Sequence, residues 1–528
     1  MKYLMLLMSE NAFTMALEYI DIVLIILTLV CLYNLNLKHY QQSHYHLSSF
    51  SKYFKYFYMR SHIFFIIPIA ISIFFLNYWF VQLLSILYLG FLNYYYHRQK
   101  EIIKLKFTSR IIREYLVIII LDIVIGTLLL YNFEFVQLMS LMSLLIIIAP
   151  IIVLLASLIT LPVEALISVV FQKQAKHKID KIKPYVIAIT GSAGKTSTKS
   201  IIYEVLSKVA PTLKTPLSYN TINGISRTIN EYMTKNDEYF VCEMGASHKK
   251  DIDDILKLVK PNISIVTTIN NSHLETFKSI ENICHEKMKI CEALDSSGIA
   301  ILNYDNEYIR SYKLKSNCKV ITIGSTTDCD YYQTDFKMNQ DYIEFKIHHN
   351  VDNVDKVVDV KAKLKGEVNC YNLLASYACL DQLDLKNLDD NLILDSFLGL
   401  TGVSNRLEIK HDLNKNNIIL DDSYNSNYYG FCSALKVLDL YSNKVLITPG
   451  IVEASDDDNI KISKKISEVC DQVIIINCPS GNIIYNELSH INFTNVTKVN
   501  SYKEAIESLE NCTILVENDL PDYYFLGR

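Results

Sequence analysis

The sequence is poor in several kinds of residue, and each shortage excludes a class of protein. Only 15 glycines and 10 prolines occur among 528 residues, which excludes collagen-like and proline-rich chains. Charged residues make up 20% of the chain, which is low for a soluble protein, and the 50% apolar content excludes a disordered chain. The formal net charge is −5, whereas a general nucleic-acid binder carries a basic excess. We therefore expect no nucleic-acid partner.

A disulfide framework is also excluded, although the chain has twelve cysteines. Eleven of them follow residue 240, and no two are separated by only two residues. In a chain of this length, such scattered positions indicate reduced thiols in a cytosolic domain.

Long apolar runs are present, but only in the first third of the chain. They lie at 16–33, 62–96, 116–133 and 136–161. The second run has no Asp, Glu, Lys or Arg over 35 residues, which is long enough for a hairpin of two membrane spans. The sequence therefore predicts an α-helical membrane region of about five transmembrane helices over 1–170.

The positions of lysine and arginine predict the orientation of this region. These cations are concentrated after the first span and between the third and fourth, and cytoplasmic loops are usually rich in them. With five spans, the N-terminus lies outside, and everything after residue 170 lies in the cytoplasm of a multi-pass protein of the cell membrane. Residues 171–183 are basic and amphipathic, which predicts a linker helix at the membrane surface.

A glycine-rich turn marks the start of the soluble part. Residues 185–190 (YVIAIT) form a short apolar run typical of a buried parallel strand, and 198–209 have a helical pattern. The residues between them include Gly191, Ser192, Ala193, Gly194, Lys195, Thr196 and Ser197. Glycines let backbone N–H groups face a phosphate, the lysine adds positive charge, and the threonine hydroxyl can bind Mg²⁺. This order of strand, turn and helix predicts an ATP-binding site.

The loop TGSAGKTS resembles the short phosphate loop of the Mur ligases, the ATP-dependent ligases that build the peptide of cell-wall precursors. Similar motifs follow in the same order at 218–221 (SYNT), 243–246 (EMGA), 272–275 (SHLE), 366–372 (GEVNCYN), 405–408 (NRLE) and 421–425 (DDSYN). Together they are most similar to the branch that adds D-alanyl-D-alanine. Two positions depart from the family: Val368 stands where histidine is usual, and Tyr428 where proline is usual.

The resemblance implies an α/β fold in two domains after the membrane region. The central ATP-binding domain, with a phosphate loop and a parallel sheet, would occupy 184–398. A smaller Rossmann-like domain would occupy 399–528. Short apolar runs at 445–448, 472–476 and 513–517, separated by helical segments, independently indicate this second α/β domain.

The resemblance also implies the chemistry. A ligase of this kind uses ATP and Mg²⁺ to activate a carboxylate as an acyl phosphate, which an amine then attacks. Lys195, His273 and Lys287 would be catalytic, and Lys287 would be carbamylated to support a second metal. Thr196, Glu243 and His273 would bind Mg²⁺. Glu243 also ends an apolar strand, where α/β sheets commonly place ligands.

Further nucleotide contacts are implied beyond the loop. Asn369 and Asn372 would lie near the adenine. Arg406 would contact phosphate, and Asp422 would contact either the ribose or the incoming amine. The last two residues stand at the junction of the two domains, where domain closure completes a site of this kind.

The acceptor and the product stay open at this stage. Soluble family members begin with a domain that holds the uridine diphosphate of their substrate, and the membrane region stands in its place here. We therefore expect a membrane-associated acceptor, such as a lipid-linked cell-wall precursor peptide, that receives an amino acid or a dipeptide. A poly-γ-glutamate or pseudomurein-type ligase is an alternative, and a nucleotide-gated transporter or sensor is an alternative of another class.

Overall fold

The structure is a computed structural model, and it describes most of the chain in two units. The described residues are 2–42, 45, 84, 87–92, 94, 105–132, 135–272, 274–351, 354–402, 404–424, 426–452 and 455–518. By their contacts, the residues before Ser168 form one unit and those from Ser168 to Asp519 form the other.

The first unit consists of long helices. They are α1 (Lys2–Gln42), α2 (Ser109–Asn132) and α3 (Phe135–Ile182), the last of which begins in this unit. Within the described residues, Ile22–Gln42 and Ile148–Ile182 are long and apolar enough to cross a membrane. Of the predicted spans, the pair over 62–96 lies almost entirely outside the described residues. Two prolines, at 150 and 162, stand inside α3 without ending it.

Polar side chains in this unit pair between helices. The hydroxyl of Tyr33 in α1 donates to Asp122 of α2 at 2.8 Å. The guanidinium of Arg113 binds both carboxylate oxygens of Glu164, at 2.5 and 3.0 Å. Such hydrogen bonds satisfy polar groups that would otherwise lack a partner between packed helices. Asp122 therefore has a helix-to-helix contact.

The second unit begins with a nine-stranded sheet and the helices around it. The strands are β1 (Tyr185–Thr190), β2 (Thr212–Lys214), β3 (Tyr239–Glu243), β4 (Ile263–Val266), β5 (Ile299–Asn303), β6 (Lys319–Gly324), β7 (Tyr331–Met338), β8 (Ile343–Val351) and β9 (Val354–Ala362). The helices are α4 (Lys195–Leu206), α5 (Ile222–Glu231), α6 (Asp251–Leu258), α7 (Leu274–Phe277), α8 (Ile280–Glu292), α9 (Glu307–Ser311), α10 (Glu367–Asp381) and α11 (Asp390–Leu398).

This sheet is mixed, so the prediction of a parallel sheet is only partly right. The strand order is β2-β3-β1-β4-β5-β6-β7-β8-β9, and the pairs from β2 to β7 are parallel. The pairs β7–β8 and β8–β9 are antiparallel. Only the four residues 339–342 join β7 to β8, too few for the crossover that a parallel pair needs.

Helices cover both faces of the parallel part of the sheet. Val186 and Ala188 of β1 belong to one buried cluster, with residues of α5, α6 and α8. Ile187 and Ile189 belong to another, with residues of α4 and α10. Successive residues of a strand face opposite sides, so a strand buried on both faces is apolar throughout. This is why YVIAIT contains no charged residue.

The segment predicted as a linker helix is the C-terminal end of α3, which belongs to the second unit and packs beside α5. Ala175 and Ile179 are buried in the cluster beside α5. The ammonium of Lys178 donates to the backbone carbonyl of Asn230 at 2.9 Å. This amphipathic segment therefore turns its apolar side toward the α/β unit.

The second sheet of this unit is smaller. Its strands are β10 (Glu408–Asp412), β11 (Asn417–Asp422), β12 (Lys444–Thr448), β13 (Gln472–Ile476), β14 (Val496–Val499) and β15 (Thr513–Glu517), and its helices are α12 (Tyr428–Leu438), α13 (Asp456–Val469), α14 (Pro479–His490) and α15 (Tyr502–Glu507). The order is β10-β11-β15-β12-β13-β14, and all pairs except β10–β11 are parallel. All twelve cysteines are free thiols.

Candidate active site

The glycine-rich turn connects β1 to α4 through two backbone conformations that favour glycine. Gly191 has φ 150° and Gly194, the residue before α4, has φ 83°. A Cβ atom on Gly191 would lie 2.0 Å from the hydroxyl oxygen of Thr267, and one on Gly194 would lie 2.5 Å from Oδ1 of Asn372. Neither position therefore has room for a side chain. The helix N-terminus that follows carries a partial positive charge, which favours a bound phosphate.

The segment after β4 holds this loop in place. The backbone N–H of Ser192 donates to the carbonyl of Thr268 at 2.6 Å, and the N–H of Asn270 donates to the hydroxyl of Ser192 at 3.1 Å. The hydroxyl of Thr267 donates to the carbonyl of Ala193 at 2.5 Å. These bonds fix the curvature of the loop before any ligand binds.

Two predicted lysines meet at one carbonyl of the loop. The Nζ atoms of Lys195 and Lys287 lie 2.7 and 3.0 Å from the backbone oxygen of Gly191. Burial lowers the pKa of Lys195 to about 8; Glu243 opposes this effect, and the positive charge of Arg406 adds to it. Burial, followed by repulsion from Lys195, places the pKa of Lys287 well below its ordinary value. The site thus concentrates basic groups whose charged forms an anionic ligand would stabilise.

A second cluster surrounds Glu243 at the end of β3. Its Oε2 accepts hydrogen bonds from the hydroxyl of Thr196 at 3.0 Å and the ammonium of Lys199 at 2.8 Å. Its Oε1 accepts one from the amide of Asn220 at 3.0 Å. Burial alone would raise the pKa of Glu243, but the charges of Lys199 and Lys195 and these hydrogen bonds place it below its ordinary value. The carboxylate is therefore ionised at neutral pH.

Lys199 is a site residue that our sequence analysis missed. Its side chain is 2% exposed, and its partner Glu243 is 1% exposed. Helix periodicity could have identified it, because Lys199 follows Thr196 by three residues on α4 and so lies on the same helix face.

The oxygens of Thr196 and Glu243 are suitable ligands for Mg²⁺, which prefers hydroxyl, carboxylate and phosphate oxygens. Among the described residues, which leave out His273, no three His, Cys, Asp or Glu side chains converge on one point. A metal held here would therefore complete its coordination with phosphate oxygens and water, as Mg²⁺ commonly does.

A cavity of about 760 Å³ opens beside the loop. The predicted residues that line it are Ala193, Gly194, Ser197, Asn369, Asn372, Arg406 and Asp422. The amide of Asn372 donates to Oδ1 of Asn369 at 2.9 Å, and its own Oδ1 accepts the hydroxyl of Thr198 at 3.3 Å. Residues from both sheets therefore meet at one cavity, whose volume is typical of a small-molecule site.

Arg406 and Asp422 approach the cavity from the second sheet. The guanidinium of Arg406 lies 4.4 Å from the centre of the Tyr424 ring. The backbone N–H of Leu407 donates to Oδ1 of Asp422 at 3.2 Å. Burial raises the pKa of Asp422 to about 6, and the positive charge of Arg406 opposes the rise. Glu517, at the end of the neighbouring strand β15, also affects this pKa.

The loop, the sheet around it and α10 coincide with a known domain. Residues 189–380 match the family described as the Mur ligase middle domain. A UDP-N-acetylmuramoyl-tripeptide–D-alanyl-D-alanine ligase of Buchnera aphidicola is 31% identical over 314 residues, which are 59% of this chain and 63% of that protein. An enzyme of the same name from Haemophilus influenzae is 25% identical over 62% of this chain and 70% of its own length.

Solved structures show a related fold. The MurF ligase of Thermotoga maritima, solved in complex with ADP, superposes with a TM-score of 0.58 at 21% identity, over 67% of this chain and 81% of that one. The chain spans less than two thirds of the length of the Buchnera protein. Residues 189–380 are therefore similar to the middle domain of Mur ligases, and the fold around them is similar to that of the solved ligases.

Proposed function

We propose that the protein is an ATP-dependent ligase that forms an amide bond through an acyl-phosphate intermediate. The observation that carries this proposal is that one glycine-rich loop has a lysine cluster and, beside it, a cluster of oxygen ligands around a carboxylate. Lys195 and Lys287 converge on the backbone of Gly191, and Thr196, at the start of α4, donates a hydrogen bond to Glu243 at the end of β3. Phosphoryl transfer needs positive charge near the transferred group and oxygen ligands for a metal ion.

Each residue then has a role in two steps. A substrate carboxylate attacks the γ-phosphate of ATP, ADP leaves, and an acyl phosphate forms; an amine then attacks the acyl carbon and releases phosphate. Lys195 and Arg406 would hold phosphate oxygens and offset their negative charge. Asn369 and Asn372 would border the adenine, and Asp422 would hold the ribose or the incoming amine.

Magnesium is the cofactor that this proposal requires, and when bound it would neutralise charge on the phosphates. Thr196 and Glu243 would hold it on one side of the loop. His273 would hold a second ion, although this residue lies outside the described part of the chain. Lys287, whose pKa burial lowers well below its ordinary value, has the amine that could take up CO₂ and release a proton, which gives a carbamate.

We propose a substrate of the cell-wall class. The supporting observation is that several relatives carry the name UDP-N-acetylmuramoyl-tripeptide–D-alanyl-D-alanine ligase. The added group would be an amino acid or a dipeptide such as D-alanyl-D-alanine, and the acceptor would be a precursor peptide.

We further propose that the acceptor is membrane-associated and that the protein is a multi-pass membrane protein. Support comes from the two helices in the described residues that could cross a membrane. Because ATP is cytoplasmic, the catalytic domains would face the cytoplasm and the N-terminus would lie outside.

The test is ADP release by the full chain in detergent or vesicles. The amines would be D-alanyl-D-alanine and single amino acids, and the acceptors would be a UDP-linked and a lipid-linked precursor peptide. We expect ADP release that requires both an amine and an acceptor, is faster with the lipid-linked acceptor, and is lost in Lys195→Ala. ADP release without a new amide would refute the ligase, and preference for the soluble acceptor would refute the membrane-associated one.

A further inference from the structure

A pair of carboxyl groups lies on two neighbouring strands of the second sheet. In the parallel pairing of β11 with β15, Asp422 is in register with Glu517. Residues in register on adjacent strands project their side chains from the same face of a sheet. Asp422 lines the cavity, and Glu517 is buried, with 1% of its surface exposed. Glu517 is therefore the buried neighbour, in the sheet, of a residue that lines the cavity.

The contacts of Glu517 are incomplete without a proton. Its Oε1 accepts the hydroxyl of Ser426 at 2.5 Å, while its buried Oε2 receives no hydrogen bond from a donor group of the described residues. The neighbour that remains is the carboxyl group of Asp422, which shares a hydrogen bond with Glu517. Two ionised carboxylates have no donor between them, so this bond requires one of the pair to carry a proton.

The surroundings of Asp422 favour its ionised form. Arg406 faces it from the segment before β10, and the backbone N–H of Leu407 donates to its Oδ1 at 3.2 Å. Asp421, its neighbour in β11, adds an opposing negative charge. Arg406 and the Leu407 N–H limit the effect of burial, so the pKa of Asp422 rises only to about 6.

The surroundings of Glu517 favour its neutral form. Burial and the negative charge of Asp422 raise its pKa well above the ordinary range, and the hydroxyl of Ser426 opposes this only partly. Cys432 faces it from α12, and burial raises the pKa of that thiol too, so it brings no charge at neutral pH. Burial and the negative charge of Asp422 therefore favour the shared proton on Glu517 rather than on Asp422.

We propose that Glu517 is a positioning residue for nucleotide binding: as a carboxylic acid, it donates a hydrogen bond to the Asp422 carboxylate and holds that carboxylate in the cavity. This inference rests on the proposed function, because it assumes that the cavity binds ATP. Glu517 itself does not need to touch the ligand.

The test measures the affinity of ADP with Mg²⁺ by calorimetry on the full chain, from about pH 6 to about pH 10. Glu517→Gln supplies an amide N–H donor that cannot ionise, and Glu517→Met supplies no donor. Glu468→Gln is the matched control, because this exposed glutamate on α13 pairs with Lys465 and lies outside the site.

At neutral pH, we expect Glu517→Met to bind ADP roughly tenfold more weakly, while Glu517→Gln and the control bind like the wild type. As the pH rises, wild-type Glu517 loses its proton and repels Asp422, so the affinity falls. Lys195 adds an alkaline loss to every variant, so the difference between the wild type and Glu517→Gln isolates the carboxyl pair.

The outcomes separate this inference from the proposed function. If the wild type binds no ADP, the proposed nucleotide site is wrong, and this inference with it. If it binds ADP and Glu517→Met binds equally well, only the role of Glu517 is refuted. Should Glu517→Met fail to fold, identical pH profiles for the wild type and Glu517→Gln would refute that role as well.

Discussion

The buried ion pair between Lys199 and Glu243 supplies the sharpest stability prediction. Their charged atoms lie 2.8 Å apart, and the side chains are 2% and 1% exposed. Replacing Lys199 with methionine keeps the length of the side chain but leaves the carboxylate without its cation. Removing one partner of such a pair costs about 3–5 kcal/mol. Thr196 and Asn220 still donate to Glu243, so we expect the lower end of that range, about 3 kcal/mol.

Thermal unfolding followed by circular dichroism would measure this effect on the full chain in detergent. For the unit from Ser168 to Asp519, a loss of about 3 kcal/mol corresponds to a fall of roughly 5 °C in the midpoint of unfolding. Lys257→Met is a matched control, because Lys257 and Asp254 are 2.7 Å apart but 76% and 51% exposed. Water already screens that pair, so its loss should change the midpoint little.

A double variant checks the cause of the loss. Glu243→Gln removes the charge that Lys199→Met leaves unpaired, so the double variant should unfold at a higher temperature than the sum of the two single effects predicts. If Lys199→Met and Lys257→Met lower the midpoint equally, or if the two site substitutions simply add, the buried pair is not what stabilises this part of the site.

Three further predictions concern the phosphate loop. Gly194→Ala should lower the unfolding midpoint more than Gly402→Ala, because both glycines have φ above 80° but a Cβ atom at Gly194 would lie 2.5 Å from Asn372 Oδ1, whereas at Gly402 the nearest atom is 3.7 Å away; equal losses would refute the close approach. Lys195 has a pKa of about 8 and is a cation below it, so ADP affinity should fall as the pH rises through about 8, and Lys195→Arg should move that fall to higher pH; calorimetry at several pH values checks this. Thr196→Ala should weaken the Mg²⁺ dependence of ADP binding by roughly tenfold while binding without metal changes little, and an unchanged magnesium titration would contradict the metal role.

The elements that the sequence predicts well are those with one physical explanation. The run 185–190 forms β1 with the expected bounds, because a strand buried on both faces must be apolar throughout. The helix after the loop begins at Lys195 rather than at residue 198, because Gly194 caps it and the end of the phosphate loop is its first turn. The loop motif thus predicted both elements, although not the boundary between them.

The antiparallel edge of the first sheet was not predicted. Charged residues alternate with apolar residues at 343–347 in β8 (IEFKI) and 358–362 in β9 (VDVKA), as expected for strands with one exposed face. The hairpin between β7 and β8 adds these strands to the parallel sheet. A local pattern identifies a strand, but it does not say which sheet the strand will join.

The pairing of Asp422 with Glu517 could not be predicted for the same reason. β15 lies between β11 and β12, although 90 residues separate it from the former in the sequence. Only this strand order places the two carboxyl groups in register. The role of Glu517 therefore depends on topology, whereas that of Lys199 follows from helix periodicity.

Under the proposed function, the two lysines at Gly191 would let the loop bind a phosphate without losing its own shape. A carbonyl oxygen has two lone pairs, and here Lys195 and Lys287 both donate to the carbonyl oxygen of Gly191. Lys287 is 1% exposed, whereas Lys195 belongs to the helix turn beside the cavity. When Lys195 turns toward an anion, Gly191 keeps the bond from Lys287, so the carbonyl is not left without a partner. A bound phosphate would raise the pKa of Lys195 again, because an opposite charge favours the ammonium form, so we expect nucleotide binding near pH 8 to take up a proton.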